Sequence, residues 1–417
     1  MTAAASRGVP DALGRRVVAA ADADRDSFIR DLAQFVNIDS GTYDREGTLK
    51  AGHWLGSFLS RLGGEVNFQA DPSETVGDVL HAVFKGRRGV RILLVGHFDT
   101  VFDAGTATQR PFRTDGRRAY GPGVTDMKGG LVIAGYALRV LVSTGLWREL
   151  EIGSVTFLAN PDEEISSPFS RPFMERAASA ADACLVFECA RPNGDIVSAR
   201  NGSLNLRVDI VGRSAHAGVE PEYGRSAILE AAHQVIALQA MGSRLPGVTA
   251  NVGVISGGTR SNVVPDTASY DVNLRAPSRR LMEAAEAEVR NTVGRPTVEG
   301  TQSSVRELGR LWPMEKLEGT KRLADHAISI GRTLGFDVKD AFTRGSSDAC
   351  TIAALGVPTL DGLGPVGGLW HNPDEYIELD SLSHRIALAA CLIAAIASDR
   401  AFANSGAVLG RAEPAAP

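Results

Sequence analysis

Short continuous apolar runs alternate with helical stretches in two separated parts of the chain. From about Asp24 to Ala199, and again from about Lys316 to Arg400, the runs RILLVG, SVTFLA, ACLVFE and VPTL are flanked by segments with helical periodicity. Continuous runs of this length are typical of strands buried on both faces of a mainly parallel sheet. The two parts together predict one α/β domain.

The middle of the chain has a different pattern. One alternating segment, a helix over Ser226 to Leu238, two more alternating segments, a helix over Arg279 to Val293 and a weak last strand before Leu308 follow one another. This order is βαββαβ, the split unit of a ferredoxin-like domain. We predict an α/β catalytic domain, with a mainly parallel sheet flanked by helices, at residues 1–202 and 313–417, interrupted by an inserted α+β ferredoxin-like lid and dimerisation domain at residues 203–312.

Composition narrows the class of protein without naming a function. The 417 residues are 44% hydrophobic and 22% charged, and the formal net charge of -5 includes no basic tract. Nucleic acid is therefore not an expected partner, and small-molecule chemistry is favoured. The four cysteines contain no CxxC pair, which argues against a thiolate metal site.

The N-terminal sequence has no pattern that predicts a targeting or membrane segment. The N-terminal residues combine neither a basic start with an apolar core nor a run long enough to cross a bilayer. We expect a cytoplasmic protein with no membrane partner. The first ~22 and last ~10 residues are predicted to be poorly ordered tails.

Histidines and acids follow the predicted strands at the positions where ligands bind. In open α/β sheets, sites form beyond the carboxyl ends of the strands. Carboxylates crowded there repel one another unless cations lie between them. Imidazole and carboxylate ligands without thiolate suit zinc, or less often manganese or cobalt. The residues concerned are His97, Asp99, Asp162, Glu163, Glu164, Glu188 and His371, with Asp126 in YGPGVTDMKGG as a carboxylate that could bridge two metal ions.

An ordered series of motifs gives the site its strongest support. GHFDTV, YGPGVTDMKGG, NPDEE, FECARPNGDIVSARNG, GRSAHAG and WHNPDEYIEL resemble the successive motifs of the acetylornithine deacetylase, succinyl-diaminopimelate desuccinylase and carboxypeptidase family of dinuclear zinc peptidases. The similarity extends from about Asp24 to Arg400 and is greatest to the bacterial glutamate carboxypeptidases.

The resemblance implies a role for each matched residue of the metal site. His97, Asp126 and Glu188 would hold one zinc ion, and Asp126, Glu164 and His371 would hold the other. Asp99 would orient the imidazole of His97. Glu163 would be the general base, and the peptide bond after Asp126 would be cis.

The resemblance also assigns residues that would contact the substrate. His216, in the insertion, would reach over the active site of a partner in a homodimer and stabilise an oxyanion. Asn262 and Arg275 would bind the substrate carboxylate, with Gly345 and Ser346 on the opposite wall. The dimer would form through an exposed edge strand or helix of the inserted domain.

Each residue also has an ordinary structural interpretation. A single histidine is usually structural, the Glu163–Glu164 pair would suit a helix N-terminus, and Asp99 would suit a cap or turn. Glu188 would be unremarkable as a solvated strand end, and His216 or Asn262 as a turn residue. Arg275 would be equally ordinary as a solvated strand arginine. The order of the motifs favours the functional interpretation for the set as a whole.

The predicted function is zinc-dependent hydrolysis of an amide bond adjacent to a free carboxylate, as in a glutamate carboxypeptidase or an N-acyl-amino-acid hydrolase. A biosynthetic deacetylase or desuccinylase is the alternative, because the segment with Arg191, Arg200 and Asn201 departs from the family pattern. GSSDA superficially suggests a serine nucleophile but lacks the second glycine. Gly121–Gly123 is a poor dinucleotide motif. A non-catalytic binding protein would be expected to have lost a ligand or the base.

Overall fold

The computed structural model describes residues 11–403 and divides into two compact units. Unit 1 contains the described residues up to Ser198, together with 316–342 and those from Ser347 onwards. Unit 2 contains Ala199–Glu315 and Thr343–Ser346. The prediction had placed the two crossings at 202/203 and 312/313. It had not anticipated that the short segment 343–346 belongs with the insertion.

The helices and strands of the described residues are numbered in chain order. The helices are α1 (Asp11–Ala23), α2 (Arg25–Val36), α3 (Arg45–Arg61), α4 (Thr106–Gln109), α5 (Gly129–Ser143), α6 (Leu146–Glu149), α7 (Arg171–Ser179), α8 (Ala227–Gln239), α9 (Met241–Arg244), α10 (Arg279–Val293), α11 (Glu318–Leu334), α12 (Asp348–Ala353), α13 (Leu382–Ser398) and α14 (Arg400–Ala403). The strands are β1 (Glu65–Gln69), β2 (Val79–Lys85), β3 (Val90–His97), β4 (Arg113–Thr114), β5 (Arg118–Tyr120), β6 (Ile152–Asn160), β7 (Ala183–Val186), β8 (Ile196–Arg200), β9 (Gly202–Val211), β10 (Thr249–Gly257), β11 (Thr267–Ala276), β12 (Gln302–Leu311), β13 (Asp340–Thr343), β14 (Thr359–Leu360), β15 (Gly367–Gly368) and β16 (Tyr376–Glu378).

The main sheet of unit 1 has six strands in the order β1-β2-β6-β3-β7-β14. Strands β6, β3, β7 and β14 are parallel, whereas β2 runs antiparallel to β6 and β1 antiparallel to β2. Every residue of β3 except Arg91 is buried, as the continuous apolar run predicted. Because His97 pairs with Asn160 at the carboxyl ends of β3 and β6, the segments that follow both strands begin at the same edge of the sheet.

Two long apolar helices, α5 and α13, pack against each other in the core of unit 1. Helix α13 lies within the segment Leu379–Ser398, which is long and apolar enough to cross a bilayer by length and composition. However, 72% of that segment's most apolar window is buried inside the protein. A helix that is apolar on all sides is expected in such a position at the centre of a large core.

The prediction of a disordered tail over the first ~22 residues is wrong for the described part. Residues Asp11–Ala23 form helix α1, whose Val17 and Ala21 are fully buried. Leu13, Val17 and Ala21 recur at a spacing of four, so they form one apolar stripe that packs on the core. The predicted C-terminal tail lies outside the described residues.

Unit 2 has the predicted ferredoxin-like order, with an antiparallel sheet β10-β11-β9-β12 and the helices α8 and α10. Leu204, Leu206, Val208 and Ile210 of β9 alternate into its core. The last strand, β12, is ten residues long and not the weak strand that the sequence predicted. A register irregularity between Glu307 and Gly309 interrupts its alternation, and this obscured the strand in the sequence.

Two adjacent residues of α5 provide a test of the core. Leu141 is fully buried, whereas Val142 is 55% exposed. We expect Leu141→Ala to lower the free energy of unfolding by about 2–5 kcal/mol, because it leaves a cavity in a packed core. Val142→Ala should change it by no more than about 0.5 kcal/mol. Urea unfolding of both variants measures the difference, and equal effects would contradict the packing described.

Candidate metal centre

Asp126 lies between two imidazoles that come from distant parts of the chain. Its Oδ1 is 3.3 Å from Nε2 of His97, and its Oδ2 is 3.3 Å from Nε2 of His371. The same atom of His371 is 3.1 Å from Oε2 of Glu164. Nε2 of His97 is 3.6 Å from Oε1 of Glu188. One carboxylate therefore presents a different oxygen to each of two donor groups, which is the geometry of a bridging ligand.

Two sets of donor atoms are compact enough to hold a metal ion. Within His97, Asp126 and Glu164, and within His97, Glu163 and Glu188, the candidate ligand atoms lie within 4.8 Å of one another. Nε2 of His97 and Oε1 of Glu164 are buried and have no hydrogen-bond partner among the described residues. Buried polar atoms normally have a partner. A cation fits this donor set and would satisfy both atoms.

The pKa values of these groups reflect the crowding. Burial alone would lower the pKa of His97, but Asp126, Asp99, Glu163 and Glu188 raise it well above its ordinary value. Hydrogen bonds to Asp126 and Glu164 raise the pKa of His371 to about 10. Burial raises the pKa of Glu163 and Glu164. The surrounding carboxylates thus favour positive charge within the donor set, which a bound cation would supply.

Asp99 is fully buried and connects His97 to the segment that carries the two glutamates. Its Oδ1 lies 3.2 Å from Nδ1 of His97 and accepts the backbone N–H of Glu163 at 3.1 Å. Its Oδ2 accepts the N–H of Glu164 at 3.2 Å and the hydroxyl of Thr42 at 2.7 Å. Asp99 therefore links His97, through both its carbonyl and its carboxylate, to the start of the short 3-10 helix Glu163–Ile165, and this position is compatible with both interpretations of the residue.

Comparison with known proteins places this geometry in a family. The model of Peptidase family M20/M25/M40 matches residues 93–395, which include every candidate metal ligand described above. The chain is also 31% identical to carboxypeptidase G2 of Pseudomonas sp. over 380 residues, or 90% of each chain. The chain belongs to Peptidase family M20/M25/M40. It is thus an enzyme, a metallopeptidase, and the resemblance inferred from the motifs is confirmed.

The chain is also similar to a desuccinylase and to a metal-binding peptidase of known structure. A succinyl-diaminopimelate desuccinylase of Cupriavidus taiwanensis is 28% identical over 318 residues, 71% of this chain and 79% of that one. A Bacillus subtilis protein described as a dinuclear metal binding peptidase has a TM-score of 0.68 at 17% identity, with 94% of this chain and all of that one covered. The α/β fold class with its inserted domain is confirmed. Both the main functional prediction and its desuccinylase alternative have relatives among these proteins.

The structure also contains a positioning residue that the sequence did not reveal. Asp348 is buried and accepts the side-chain N–H of Asn160 at 2.5 Å and the hydroxyl of Ser167 at 2.6 Å. Asn160 and Ser167 flank the segment with Glu163 and Glu164, so Asp348 holds both ends of that segment. In the sequence, Asp348 belongs to the motif GSSDA, whose serines suggested a nucleophile.

The serine that precedes Asp348 has a structural role. The hydroxyl of Ser347 donates to the carboxylate of Asp361 at 2.8 Å. The Ser347 oxygen in turn accepts the N–H of Ala349 and caps α12. A capping serine bonded to a carboxylate is not arranged as a nucleophile activated by histidine. The serine-hydrolase alternative therefore has no support in this segment.

The residues expected to contact substrate lie in unit 2 and form two groups. His216 is exposed and accepts the N–H of Gly218 on its Nδ1 at 3.2 Å, and the N–H of Ala217 donates to the carbonyl of Asn262 at 3.1 Å. These contacts place His216 and Asn262 in adjoining loops.

The peptide bond Asp126–Met127, in unit 1, is cis as expected.

The second group surrounds Arg275 on β11. Its guanidinium donates to the hydroxyl of Ser346 at 2.7 Å, and that hydroxyl donates to the carbonyl of Asn201 at 3.2 Å. Arg200 donates to the carbonyl of Gly345 at 3.2 Å. Ser346 and Gly345 had been expected on the wall opposite Arg275, but the structure places Ser346 directly against it.

Asp99 provides a test of how the imidazole of His97 is held. We expect Asp99→Ala to weaken metal binding about 10–100-fold, because His97 and the Glu163–Glu164 segment lose a shared acceptor. Asp103→Ala, at an exposed position four residues away, is the matched control. Competition titration of the metal-free proteins with a zinc chelator measures both affinities. Unchanged affinity in the Asp99 variant would contradict its orienting role.

Proposed function

We propose that this M20 peptidase hydrolyses an amide bond adjacent to a free carboxylate and that it uses two zinc ions per subunit. The observation that carries the proposal is the position of Asp126, with one carboxylate oxygen toward His97 and the other toward His371. The nitrogen and oxygen donors are those that zinc prefers, and cobalt or manganese would also be accepted. His97 and Glu188 would complete one site with Asp126, and Glu164 and His371 the other.

The proposed reaction divides the work between the bound metal and the side chains. When bound, zinc lowers the pKa of water and polarises the carbonyl of the scissile amide. Glu163 takes the proton from the attacking water and returns it to the leaving amine. Its backbone is fixed by Asp99, and its Oε2 lies 3.9 Å from Nε2 of His97, which supports a position at the centre of the donor cluster.

The residues of unit 2 provide substrate binding in this proposal. Arg275 and Asn262 bind the free carboxylate, with Ser346 and Gly345 as additional contacts. A forked guanidinium suits a carboxylate, and Ser346 already holds one arm of Arg275. Because Nδ1 of His216 accepts the N–H of Gly218, the proton of the neutral ring is on Nε2. That nitrogen would donate to the oxyanion of the tetrahedral intermediate.

A homodimer through unit 2 is part of the proposal. The edge strand β10 exposes Val254 and Ile255, at 56% and 57%, and α8 exposes Ile228, Leu229 and Ile236. Apolar residues on an unpaired edge strand and on the helix beside it favour pairing with a second copy by twofold symmetry.

A cytoplasmic location is also part of the proposal. It is supported by the four cysteines, all of which are buried free thiols.

The acyl group is the least constrained part of the substrate. An acidic C-terminal residue released from a peptide or pteroyl-type acyl group is the first candidate, following the 31% identity to carboxypeptidase G2. Removal of a succinyl group is the second, following the desuccinylase relative. Turnover of a panel of N-acyl, N-succinyl and pteroyl amino acids, with zinc counted in the same sample, separates them. Full activity after removal of all metal would contradict both.

Two substitutions separate proton transfer from metal binding. We expect Glu163→Ala to retain bound zinc but to lose at least about 100-fold in kcat, because the group that moves the proton is gone. His371→Ala should lose zinc from one site, because it removes a ligand. Zinc content and kcat are measured on the same preparations. Substantial turnover by the Glu163 variant would discredit its role as the base.

Mixing two inactive variants tests whether His216 acts across the dimer. We expect His216→Ala and Glu163→Ala to be inactive alone. After dissociation and reassociation at equal amounts, about a quarter of wild-type activity should return, because half the dimers are mixed and each mixed dimer has one complete site. Sedimentation of the sample confirms the dimer. An active monomer, or no recovery in proven mixed dimers, would exclude the role in trans.

A further inference from the structure

Glu375 is a buried carboxylate with an unusual set of partners. Its Oε1 accepts the backbone N–H of Thr125 at 2.6 Å and that of Asp126 at 2.9 Å. Its Oε2 accepts the N–H of Gly123 at 3.1 Å. The residue is only 1% exposed. Three amides of one loop therefore converge on a single side chain about 250 residues away in sequence.

The two segments that Glu375 connects each carry a candidate metal ligand. One is the loop that presents Asp126, and the other begins at His371. Between His371 and Glu375 the chain turns tightly, since the N–H of Glu375 donates to the carbonyl of Asn372 at 3.1 Å. Directly after Glu375, the hydroxyl of Thr125 donates to the carbonyl of Tyr376 at 2.5 Å. The segment from 371 to 376 is thus fixed to the Asp126 loop through backbone and side chain together.

Charge makes this connection stronger than an ordinary loop contact. Hydrogen bonds from N–H groups to a carboxylate are about twice as strong as neutral ones. Glutamine at this position would offer one carbonyl oxygen and one NH2 group, and the NH2 would face an N–H donor. The three-donor arrangement is therefore specific to a carboxylate of this length.

We propose that Glu375 is a positioning residue that sets the separation of Asp126 and His371 and thereby controls the affinity of the metal site that contains both. The inference rests on the proposed pair of metal ions. In the His371 site, two of three ligands lie on the segments that Glu375 joins. In the other site only Asp126 does, because His97 ends β3 and Glu188 follows β7. Loss of Glu375 therefore weakens the two sites unequally.

The test compares Glu375→Gln with Glu378→Gln. The control removes the same charge three residues further on, from a side chain that pairs with Arg118 at 2.7 Å and does not contact the Asp126 loop among the described residues. In Glu375→Gln we expect one of two zinc ions to bind about 10–100-fold more weakly and the other to change by less than about threefold. Glu378→Gln should bind both as the wild type does. Zinc affinities are measured by competition titration of the metal-free proteins.

A second measurement examines the hydrogen bonds themselves without any metal. In the metal-free protein, hydrogen exchange at the amides of Gly123, Thr125 and Asp126 should be at least about tenfold faster in Glu375→Gln than in Glu378→Gln. Glu375→Asp keeps the charge but shortens the side chain, and it should be intermediate in exchange and in zinc affinity. Raising the zinc concentration should restore most of the kcat of Glu375→Gln, which a catalytic role would not allow.

The outcomes separate this inference from the proposed function. Equal weakening of both sites, wild-type affinity at both, or unchanged amide exchange in Glu375→Gln would each overturn the role of Glu375. If the wild-type protein binds no zinc and hydrolyses no amide, the proposed function fails, while the exchange experiment still reports on the loop. If Glu375→Gln does not fold, Glu375→Asp and its exchange rates decide.

Discussion

The repulsion between carboxylates that lie close together at one edge of a sheet is the main constraint on this structure. Asp126, Glu163, Glu164 and Glu188 all lie around two imidazoles and are largely removed from water. Two like charges 4 Å apart repel by about 1 kcal/mol in water and by about 4 kcal/mol at the effective dielectric constant of a protein surface. The repulsion of several such pairs adds up, so the fold must restrain each acid, and cations bound between the acids would neutralise the group.

The restraint comes from a further layer of buried acids, and this arrangement has a physical logic. Asp99, Asp348 and Glu375 each accept two or more N–H or O–H groups from the segments that carry the ligands. A carboxylate accepts donors on two oxygens, whereas the amide of Asn or Gln accepts on one oxygen only. These acids add to the negative charge of the region, and the hydrogen bonds of Asp348 and Glu375 offset only part of their desolvation. These hydrogen bonds hold the segments that carry the candidate ligands.

The sequence could predict the donors and, through the family resemblance, Asp99, but it could not predict Asp348 or Glu375. His97, Glu164 and Glu188 follow apolar strands, and parallel strands bring their carboxyl ends to one edge, so their convergence follows from the pattern. Glu375 and Asp348 bind backbone amides or small polar side chains roughly 180–250 residues away, and such partners leave no periodic or compositional signal. The same reasoning applies to Ser346. Its contact with Arg275 depends on a four-residue segment that joins unit 2 from the far end of the chain.

The division of the residues between the two units has a consequence for how their roles can be distinguished. All candidate metal ligands belong to unit 1, whereas His216, Asn262, Arg275 and Ser346 belong to unit 2. Each unit has its own hydrophobic core. Changes at Arg275 therefore leave the ligand set intact, and their effect should fall on the binding of the substrate carboxylate. Changes at Asp99 or Glu375 should act through metal affinity and be compensated by added metal. A loss of activity can therefore be assigned either to weaker substrate binding or to weaker metal binding.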